Sequence, residues 1–212
     1  MAIFPLSCGG CNRPLPTRPQ YLLCPLCTHA LLETPEPAST KLPAGGRSYV
    51  PYLYGGPLES MISAAKFRGR VDLSRALGHL LLAFTRRSNI IKRCDLIAPI
   101  PLSPLRHLLR GYNQSEEIAS VLSQKHQIPM LTHWRRSHRR PQHQLNRQER
   151  LTNLQGAFKN PQGIENKRVL IIDDVTTTGS TLKEASQVLL DAGARRVDAM
   201  AIAQSNWSYL KS

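Results

Sequence analysis

The sequence predicts an α/β protein in which a parallel β-sheet is flanked by helices, with a small cysteine-containing module at the N-terminus. Apolar runs of strand length alternate along the chain with segments whose apolar residues recur at helical spacing. The clearest run, residues 169–172, is continuous and rich in β-branched residues, which is typical of a strand buried on both faces of a parallel sheet. Four of the five cysteines lie in the first 27 residues, outside this pattern.

Length and composition indicate one α/β core with a small appendage. A chain of 212 residues with 41% hydrophobic residues suits a globular protein, and no apolar stretch reaches the length of a membrane span. The first residues lack the basic start and long apolar core of a signal peptide, so we expect a cytoplasmic location. The formal net charge of +14 predicts attraction to polyanions such as nucleic acid, phosphorylated small molecules or an acidic membrane surface.

The N-terminal cysteines form two Cys-x2-Cys pairs separated by twelve residues. This spacing predicts a tetrahedral thiolate site for one zinc ion, and its role should be structural because protein ligands fill all four positions. The predicted zinc ligands are Cys8, Cys11, Cys24 and Cys27. Two disulfide bridges are the alternative, although a cytosolic chain seldom keeps them.

A linker separates this module from the main domain. Pro, Gly, Ser and Thr dominate residues 33–47, so we expect a zinc module over residues 1–32 and the main domain over residues 48–212. The predicted strands are residues 49–54, 95–101, 168–172 and 196–203. The predicted helices are one that Gly69 ends, one that Asp72 caps and one from Asn113 to about Lys125. Ligands are expected beyond the carboxyl ends of the strands.

The segment after the strand at residues 169–172 carries the clearest functional signal. Asp173 and Asp174 are expected where this strand ends, before a turn of small hydroxyl residues around Gly179. A helix follows, with Thr181 and Glu184 spaced as a capping box. Backbone N–H groups of such a turn and helix start can hold a phosphate, and carboxylates can accept hydrogen bonds from sugar hydroxyls. A plain strand–turn–helix crossover is the alternative, and the chain has no Gly-x-x-x-x-Gly-Lys-[Ser/Thr] segment of a P-loop protein.

This arrangement resembles the phosphoribosyl-diphosphate (PRPP) motif of type I phosphoribosyltransferases. The resemblance implies that PRPP binds here with Mg²⁺, that the acidic pair holds the ribose, and that the threonine loop anchors the 5′-phosphate. It also makes Asp173 and Asp174 the candidate catalytic residues. The residues that match the motif are Asp173, Asp174, Val175, Thr176, Thr177, Thr178, Gly179, Ser180 and Thr181.

A second phosphate contact is predicted after the strand at residues 95–101. Pro101 and Leu102 begin a turn that should lie at the same end of the sheet as the acidic pair. Arg106 and Arg110 are four residues apart, so on a helical turn they share a face and could hold a diphosphate. An exposed basic turn without a ligand is the alternative.

A closer resemblance covers nearly the whole chain. Arg106-x3-Arg110-Gly-Tyr-Asn-Gln, with Lys66-Phe67 upstream and the N-terminal cysteine module, is similar to the ComF/GntX family of phosphoribosyltransferase-like proteins. Further matches are Gln142-x2-Leu145, Arg150-x2-Asn153 and Gly156-Ala157-Phe158. The resemblance implies a type I phosphoribosyltransferase-like fold and a role in natural competence, with other DNA-uptake proteins as candidate partners. Many relatives carry additional Cys-x2-Cys pairs that this chain lacks.

Residues 134–150 are strongly basic and follow no helical or alternating apolar pattern. In a phosphoribosyltransferase this position corresponds to a loop that closes over the substrate. The same residues could instead bind the backbone of single-stranded DNA while an aromatic ring stacks on a base, and a solvated charge run is a third possibility. The candidate nucleic-acid-binding residues are Trp134, Arg135, Arg136, Arg139, Arg140, Arg147 and Arg150.

Two functions therefore emerge from the sequence. The first is a protein that binds PRPP with Mg²⁺ and single-stranded DNA and supports DNA uptake and utilisation. The second is an active phosphoribosyltransferase that transfers the pentosyl group of PRPP to an unidentified nucleobase or amine. No residue is an evident candidate for recognising a particular base, so the sequence does not identify the acceptor.

Overall fold

The structure is a computed structural model, and it describes residues 6–32, 38–85, 90–132, 134–136, 158–159 and 161–205. The helices are α1 (Pro25–Leu32), α2 (Gly56–Phe67), α3 (Val71–Thr85), α4 (Pro104–Arg110), α5 (Gln114–His126) and α6 (Ser180–Asp191). The strands are β1 (Ala38–Lys41), β2 (Arg47–Val50), β3 (Tyr52–Leu53), β4 (Leu96–Pro99), β5 (Arg135–Arg136), β6 (Phe158–Lys159), β7 (Arg168–Thr176) and β8 (Arg196–Gln204). Short 3₁₀ turns cover Pro43–Gly45 and Ile91–Arg93.

Six strands form the central sheet in the order β1-β2-β8-β7-β4, with β3 also paired to β8. All of these pairings are parallel except that of β1 with β2, which is antiparallel. Strands β5 and β6 form a separate antiparallel pair. We call the end of the sheet where β4, β7 and β8 finish the carboxyl edge, and the end where β2, β4, β7 and β8 start the amino edge.

Helices cover both faces of this sheet, which confirms the predicted fold class. Leu170 and Ile172 of β7 belong to a buried cluster with residues of α2, α3 and α5. Val169 and Ile171, which alternate with them, pack in a second cluster with residues of α6. The strand is therefore buried on both faces, as its continuous apolar run predicts, because a helical layer covers each face of β7.

The predicted linker is wrong for residues 38–47. Ala38–Lys41 forms β1, which pairs with β2 from Ala38 opposite Val50 to Lys41 opposite Arg47. The Thr40 and Ser48 hydroxyls lie 2.5 Å apart across this pair. Ala38–Lys41 is therefore an edge strand of the sheet, and residues 33–37 lie outside the described part of the chain.

Two predicted helix starts also differ from the structure. Helix α3 begins at Val71, and Asp72 lies inside its first turn, where its carboxylate pairs with the Arg70 guanidinium at 2.7 Å. Helix α6 begins at Ser180 after Gly179, so Thr181 is its second residue and the predicted capping box is wrong. In the described residues, no helix is long and apolar enough to cross a membrane.

Candidate functional site

The acidic pair lies at the carboxyl edge, among the last residues of β7 and not after the end of the strand. The Asp173 Oδ1 atom accepts the backbone N–H of Asp174 at 2.8 Å and the Ser115 hydroxyl at 3.2 Å. The Asp174 Oδ1 atom accepts the backbone N–H of Val175 at 2.6 Å. Its other oxygen lies 3.0 Å from the Lys66 ammonium. Both carboxylates are thus held in fixed orientations at the end of the sheet.

Negative charge is concentrated at this site. Burial and the neighbouring charge of Asp174 raise the pKa of Asp173 to about 7, and the positive charge of Lys66 opposes this rise. Burial, Glu59 and Asp174 also raise the pKa of Tyr54. Asp174 is buried and Asp173 is half-buried, so the pair needs a compensating cation or hydrogen-bond donors, because neither charge is fully hydrated. Lys66 supplies part of that compensation.

The loop after β7 presents hydroxyl and backbone N–H groups at the same edge. Gly179 adopts a left-handed conformation with φ of 73°, and α6 starts immediately after it. The Gln204 side-chain amide donates to the Thr177 carbonyl at 2.5 Å, which fastens the loop to the end of β8. Thr178 donates its hydroxyl to the Ser180 hydroxyl at 3.1 Å. The loop and the start of α6 therefore offer the donors that an anion requires.

The residues of the PRPP-like motif are not equally accessible. Thr177, Thr178 and Ser180 are exposed, whereas Gly179 and Thr181 are half-buried. Val175 is half-buried and Thr176 is buried, because both still belong to β7. The direct contacts of a ligand are therefore expected from residues 177–181, with Val175 and Thr176 as part of the support.

The turn after β4 reaches the same edge. Pro101 is buried and Leu102 is half-buried, and α4 follows them. Arg106 is exposed on α4. Arg110 donates to the Gln114 side-chain carbonyl at 3.0 Å and lies 5.5 Å from the centre of the Phe67 ring. The structure thus confirms a helical turn at these arginines, with Arg110 directed toward the end of α2.

Lys66 is a site residue that was not among the predicted ones, and the Gly-Tyr-Asn-Gln segment explains its position. The Tyr112 hydroxyl and the Gln114 amide both donate to the Ala65 carbonyl, the latter at 3.4 Å. Asn113 caps α5 and donates to the Ile100 carbonyl at 2.9 Å. This turn therefore holds the last part of α2 against the site. The signal in the sequence was the Lys66-Phe67 pair that the family resemblance includes.

The basic segment is only partly described. Trp134 is 5% exposed and packs on Phe158, with ring centres 5.1 Å apart, so its ring is not available for stacking on a base in this structure. This corrects the role predicted for it. Arg135 is exposed, and Arg136 lies 5.4 Å from the centre of the Phe158 ring. The predicted nucleic-acid contacts that lie outside the described residues are Arg139, Arg140, Arg147 and Arg150.

The four N-terminal cysteines meet as their spacing predicts. Their sulfur atoms all lie within 4.8 Å of one another, and the Cys11 and Cys24 sulfurs are 3.7 Å apart. Tetrahedral zinc with bonds of about 2.3 Å places its sulfur ligands about 3.8 Å apart, so this donor set fits the metal. All four cysteines are free thiols, which contradicts the disulfide alternative.

Backbone N–H groups already prepare one sulfur for a metal. Burial of Cys8 acts to raise its pKa, but the N–H groups of Cys11, Cys24 and Gly10 outweigh this effect and lower the pKa to about 6. The N–H of Cys24 lies 3.2 Å from the Cys8 sulfur. Burial, followed by the hydrogen bonds of the other thiols, raises the pKa of Cys27. A metal ion would displace the remaining thiol protons.

The cysteine module packs directly against the main domain. Cys8, Leu22 and Leu31 belong to the same buried cluster as residues of α2 and α3. A side chain at Gly10 would place its Cβ 2.8 Å from both the Cys27 sulfur and Pro57, so only glycine fits there. The module therefore shares its core with the helical layer that carries Lys66.

Comparison with known proteins agrees with this architecture. The phosphoribosyl transferase domain matches residues 109–212. The DNA utilization protein YhgH of Escherichia coli is 34% identical over 201 residues, covering 90% of this chain and 86% of that protein. Competence protein F of Haemophilus influenzae is 31% identical over 206 residues, covering 93% of this chain and 84% of that protein.

Among solved structures, a hypoxanthine phosphoribosyltransferase from Staphylococcus aureus is 16% identical, with a TM-score of 0.42, over 67% of this chain and 68% of that chain. The two relatives and the matched domain establish the relationship: the chain belongs to the ComF/GntX family of phosphoribosyltransferase-like proteins.

Proposed function

We propose that this protein binds PRPP together with Mg²⁺ at the carboxyl edge, and single-stranded DNA through its basic surface, in the uptake and utilisation of DNA. The observation that carries the PRPP half is the juxtaposition of the Asp173–Asp174 pair with the loop of residues 177–181. Two similar proteins are named for DNA utilization and for competence, which supports the cellular role.

Each part of PRPP has a chemical counterpart at this edge. Oriented carboxylates can accept hydrogen bonds from the two ribose hydroxyls, and the N–H groups of residues 177–181 can surround the 5′-phosphate. Arg106 is exposed on α4, where its guanidinium can approach the diphosphate, and Arg110 lies one helical turn further along. Mg²⁺ would neutralise the diphosphate when PRPP binds.

Calorimetry with PRPP and Mg²⁺ tests this assignment. The double variant Asp173→Asn with Asp174→Asn should lose more than about 2 kcal/mol of binding free energy, because two charged hydrogen-bond acceptors are removed. The matched control is Asp191→Asn, since Asp191 is an exposed carboxylate at the far end of α6. A folded double variant with the affinity of the wild-type protein would overturn the assignment.

The metal of the cysteine module is part of the same proposal. The spacing of the four sulfur atoms fits zinc, and the absence of an open ligand position assigns it a structural role. Metal analysis of protein purified under reducing conditions should find one zinc per chain. Protein that is folded and free of metal would contradict the proposal.

An active phosphoribosyltransferase is the second candidate. A cavity of about 540 Å³ lies beside the turn after β4, between Pro101, His107 and Trp134, and it offers room for an acceptor base. Transfer would break the bond between C1 and the diphosphate, which would leave with the bonding electron pair, while the acceptor nitrogen forms a new bond to C1 and loses its proton to solvent. Incubation with labelled PRPP and a panel of nucleobases and amines tests this function. A labelled nucleotide product would establish it, and free ribose phosphate alone would count against it.

A further inference from the structure

We infer that the amino edge of the sheet, opposite the acidic pair, binds the phosphate backbone of single-stranded DNA. The inference rests on the DNA half of the proposed function and names a site for it. Strands β2, β4, β7 and β8 all start on this edge, and basic residues stand at or just before each start. We call these residues the basic edge: Lys41, Arg47, Lys92, Arg93, Lys167, Arg168, Arg195 and Arg196.

The sheet topology brings these residues together from distant parts of the chain. Arg168 and Arg196 are register partners on adjacent parallel strands, and Lys41 is the partner of Arg47. The backbone N–H of Arg195 donates to the Lys167 carbonyl at 2.9 Å. From β4 to β2 the edge crosses three strand spacings, about 14 Å at about 4.8 Å each. A single phosphate could not contact the whole row, whereas a chain of phosphates can.

The centre of the basic edge is concave. A cavity of about 630 Å³ is lined by four guanidinium side chains from the starts of three strands, together with Tyr49 and Asp198. The four are Arg93, Arg168, Arg195 and Arg196. Low-dielectric walls around charges of one sign strengthen the attraction for an anion. The half-buried ring of Tyr49 offers a surface for a sugar or a base beside those charges.

The carboxylates on this edge fix two of the arginines and leave others for a ligand. Asp95 accepts the Arg168 guanidinium through both of its oxygens, at 3.1 and 3.2 Å. Asp198 accepts Arg196 in the same way, at 2.7 and 2.9 Å. Within the described ranges, no carboxylate lies within ion-pair distance of Arg93 or Arg195, although the charge of Arg195 contributes, after Arg168, to the lowered pKa of Asp95. The basic edge therefore holds two oriented guanidiniums beside two unpaired ones.

The surroundings of the basic edge favour nucleic acid over a membrane. Large exposed hydrophobic side chains among the described residues lie in α1, at the end of α2 and in α4, and none lies on the amino edge: Leu26, Phe67, Leu105, Leu108 and Leu109. A membrane-binding surface uses such residues for insertion. The amino edge is also the opposite end of the sheet from the acidic pair, so DNA and PRPP could be bound at the same time.

The test measures the affinity for fluorescent oligothymidine by anisotropy across a salt series. In the full-length protein, Arg93→Ser with Arg195→Ser removes the two unpaired guanidiniums and breaks no described ion pair. If both contact phosphates, the slope of log K against log salt should become less steep by about 1.4, and affinity at 0.1 M salt should fall about 25-fold. Arg93→Lys with Arg195→Lys keeps the charges and should retain the wild-type slope.

The matched control is Arg18→Ser with Lys125→Ser, which removes two exposed charges elsewhere and should leave the slope close to the wild-type value. A competing variant replaces Arg135, Arg136, Arg139 and Arg140 with Ser. Binding that is lost in this loop variant and retained in Arg93→Ser with Arg195→Ser would overturn the inference and place the DNA on residues 134–150.

Three further outcomes are distinguishable. Wild-type protein that binds no DNA at any salt concentration would remove the DNA half of the proposed function and this site with it, while PRPP calorimetry would still decide the other half. If Arg93→Ser with Arg195→Ser binds DNA as tightly as the matched control does, the proposed site is overturned, but the DNA half of the proposed function is not. If Arg93→Ser with Arg195→Ser loses binding to phosphatidylserine vesicles but keeps DNA binding, the inference is also overturned, in favour of a membrane surface.

Discussion

Replacement of Lys66 by Met should destabilise the protein through the carboxylate that it leaves behind. The Lys66 ammonium lies 3.0 Å from Asp174, and their side chains are only 21% and 11% exposed. Methionine keeps most of the apolar length of lysine and removes the charge, so packing changes little. The main consequence is a poorly hydrated carboxylate without its cation.

The size of the effect follows from this partial burial. Two unit charges 3.0 Å apart attract each other by about 5.5 kcal/mol at an effective dielectric constant of about 20, before the cost of desolvation is subtracted. Exposed ion pairs contribute about 0–1 kcal/mol, and removal of one partner of a fully buried pair costs about 3–5 kcal/mol. Lys66 and Asp174 lie between these limits, so we expect a loss of about 2 kcal/mol.

Urea unfolding at pH 8 measures this loss. Lys125→Met is the matched control, because Lys125 is exposed on α5 and forms no ion pair within the described residues. The double variant Lys66→Met with Asp174→Asn should be more stable than Lys66→Met alone, since the isolated charge is gone. If Lys66→Met is no more destabilising than Lys125→Met, or if Asp174→Asn gives no relief, the ion pair does not support the site.

Three other predictions concern pH, metal and backbone. Because the pKa of Asp173 rises from 3.8 to about 7 on folding, the native state binds an extra proton, and the free energy of unfolding should fall as pH rises through this window. Asp173→Asn should flatten that dependence in urea titrations at pH 5 and pH 8, and an unchanged dependence would assign it to another group. Cys24→Ser should release the metal and lower the melting temperature of the whole domain, because Cys8 and Leu22 pack with α2 and α3; a calorimetric scan in which only a small early transition changes would contradict this. Gly179→Val should cost about 1–2 kcal/mol, since a β-branched residue is strained at φ of 73°, and should weaken PRPP binding; wild-type stability and affinity would show that α6 can start without this conformation.

The local sequence pattern was sufficient to predict the elements whose own apolar residues mark the faces that are buried. The run at residues 169–172 has apolar side chains on both faces. Helices α2, α3 and α5 repeat apolar residues at helical spacing. In each of these elements the pattern therefore indicates which face is buried. The acidic pair and the cysteine spacing were also readable, because their chemistry needs few residue types at close spacing. The structure brings each of these two sets together.

The features that the sequence did not reveal depend on long-range pairing. Strand β1 is polar and has no apolar period, and its conformation comes from its hydrogen bonds to β2. Lys66 belongs to the site because the end of α2 lies beside β7, a neighbour far along the chain. Trp134 looked like a stacking platform, but its partner Phe158 covers it. These contacts join residues that are far apart in the sequence, so no short segment of the chain predicts them.

The crystal structure of the protein with PRPP and Mg²⁺ would test the central claim most directly. We predict the ribose hydroxyls within hydrogen-bonding distance of Asp173 and Asp174, and the 5′-phosphate on the N–H groups of residues 177–181. The same crystals should show the ligand in contact with the carboxyl edge of the sheet. PRPP bound elsewhere, or a carboxyl edge that stays empty at saturating ligand, would contradict the assignment of this edge as the binding site.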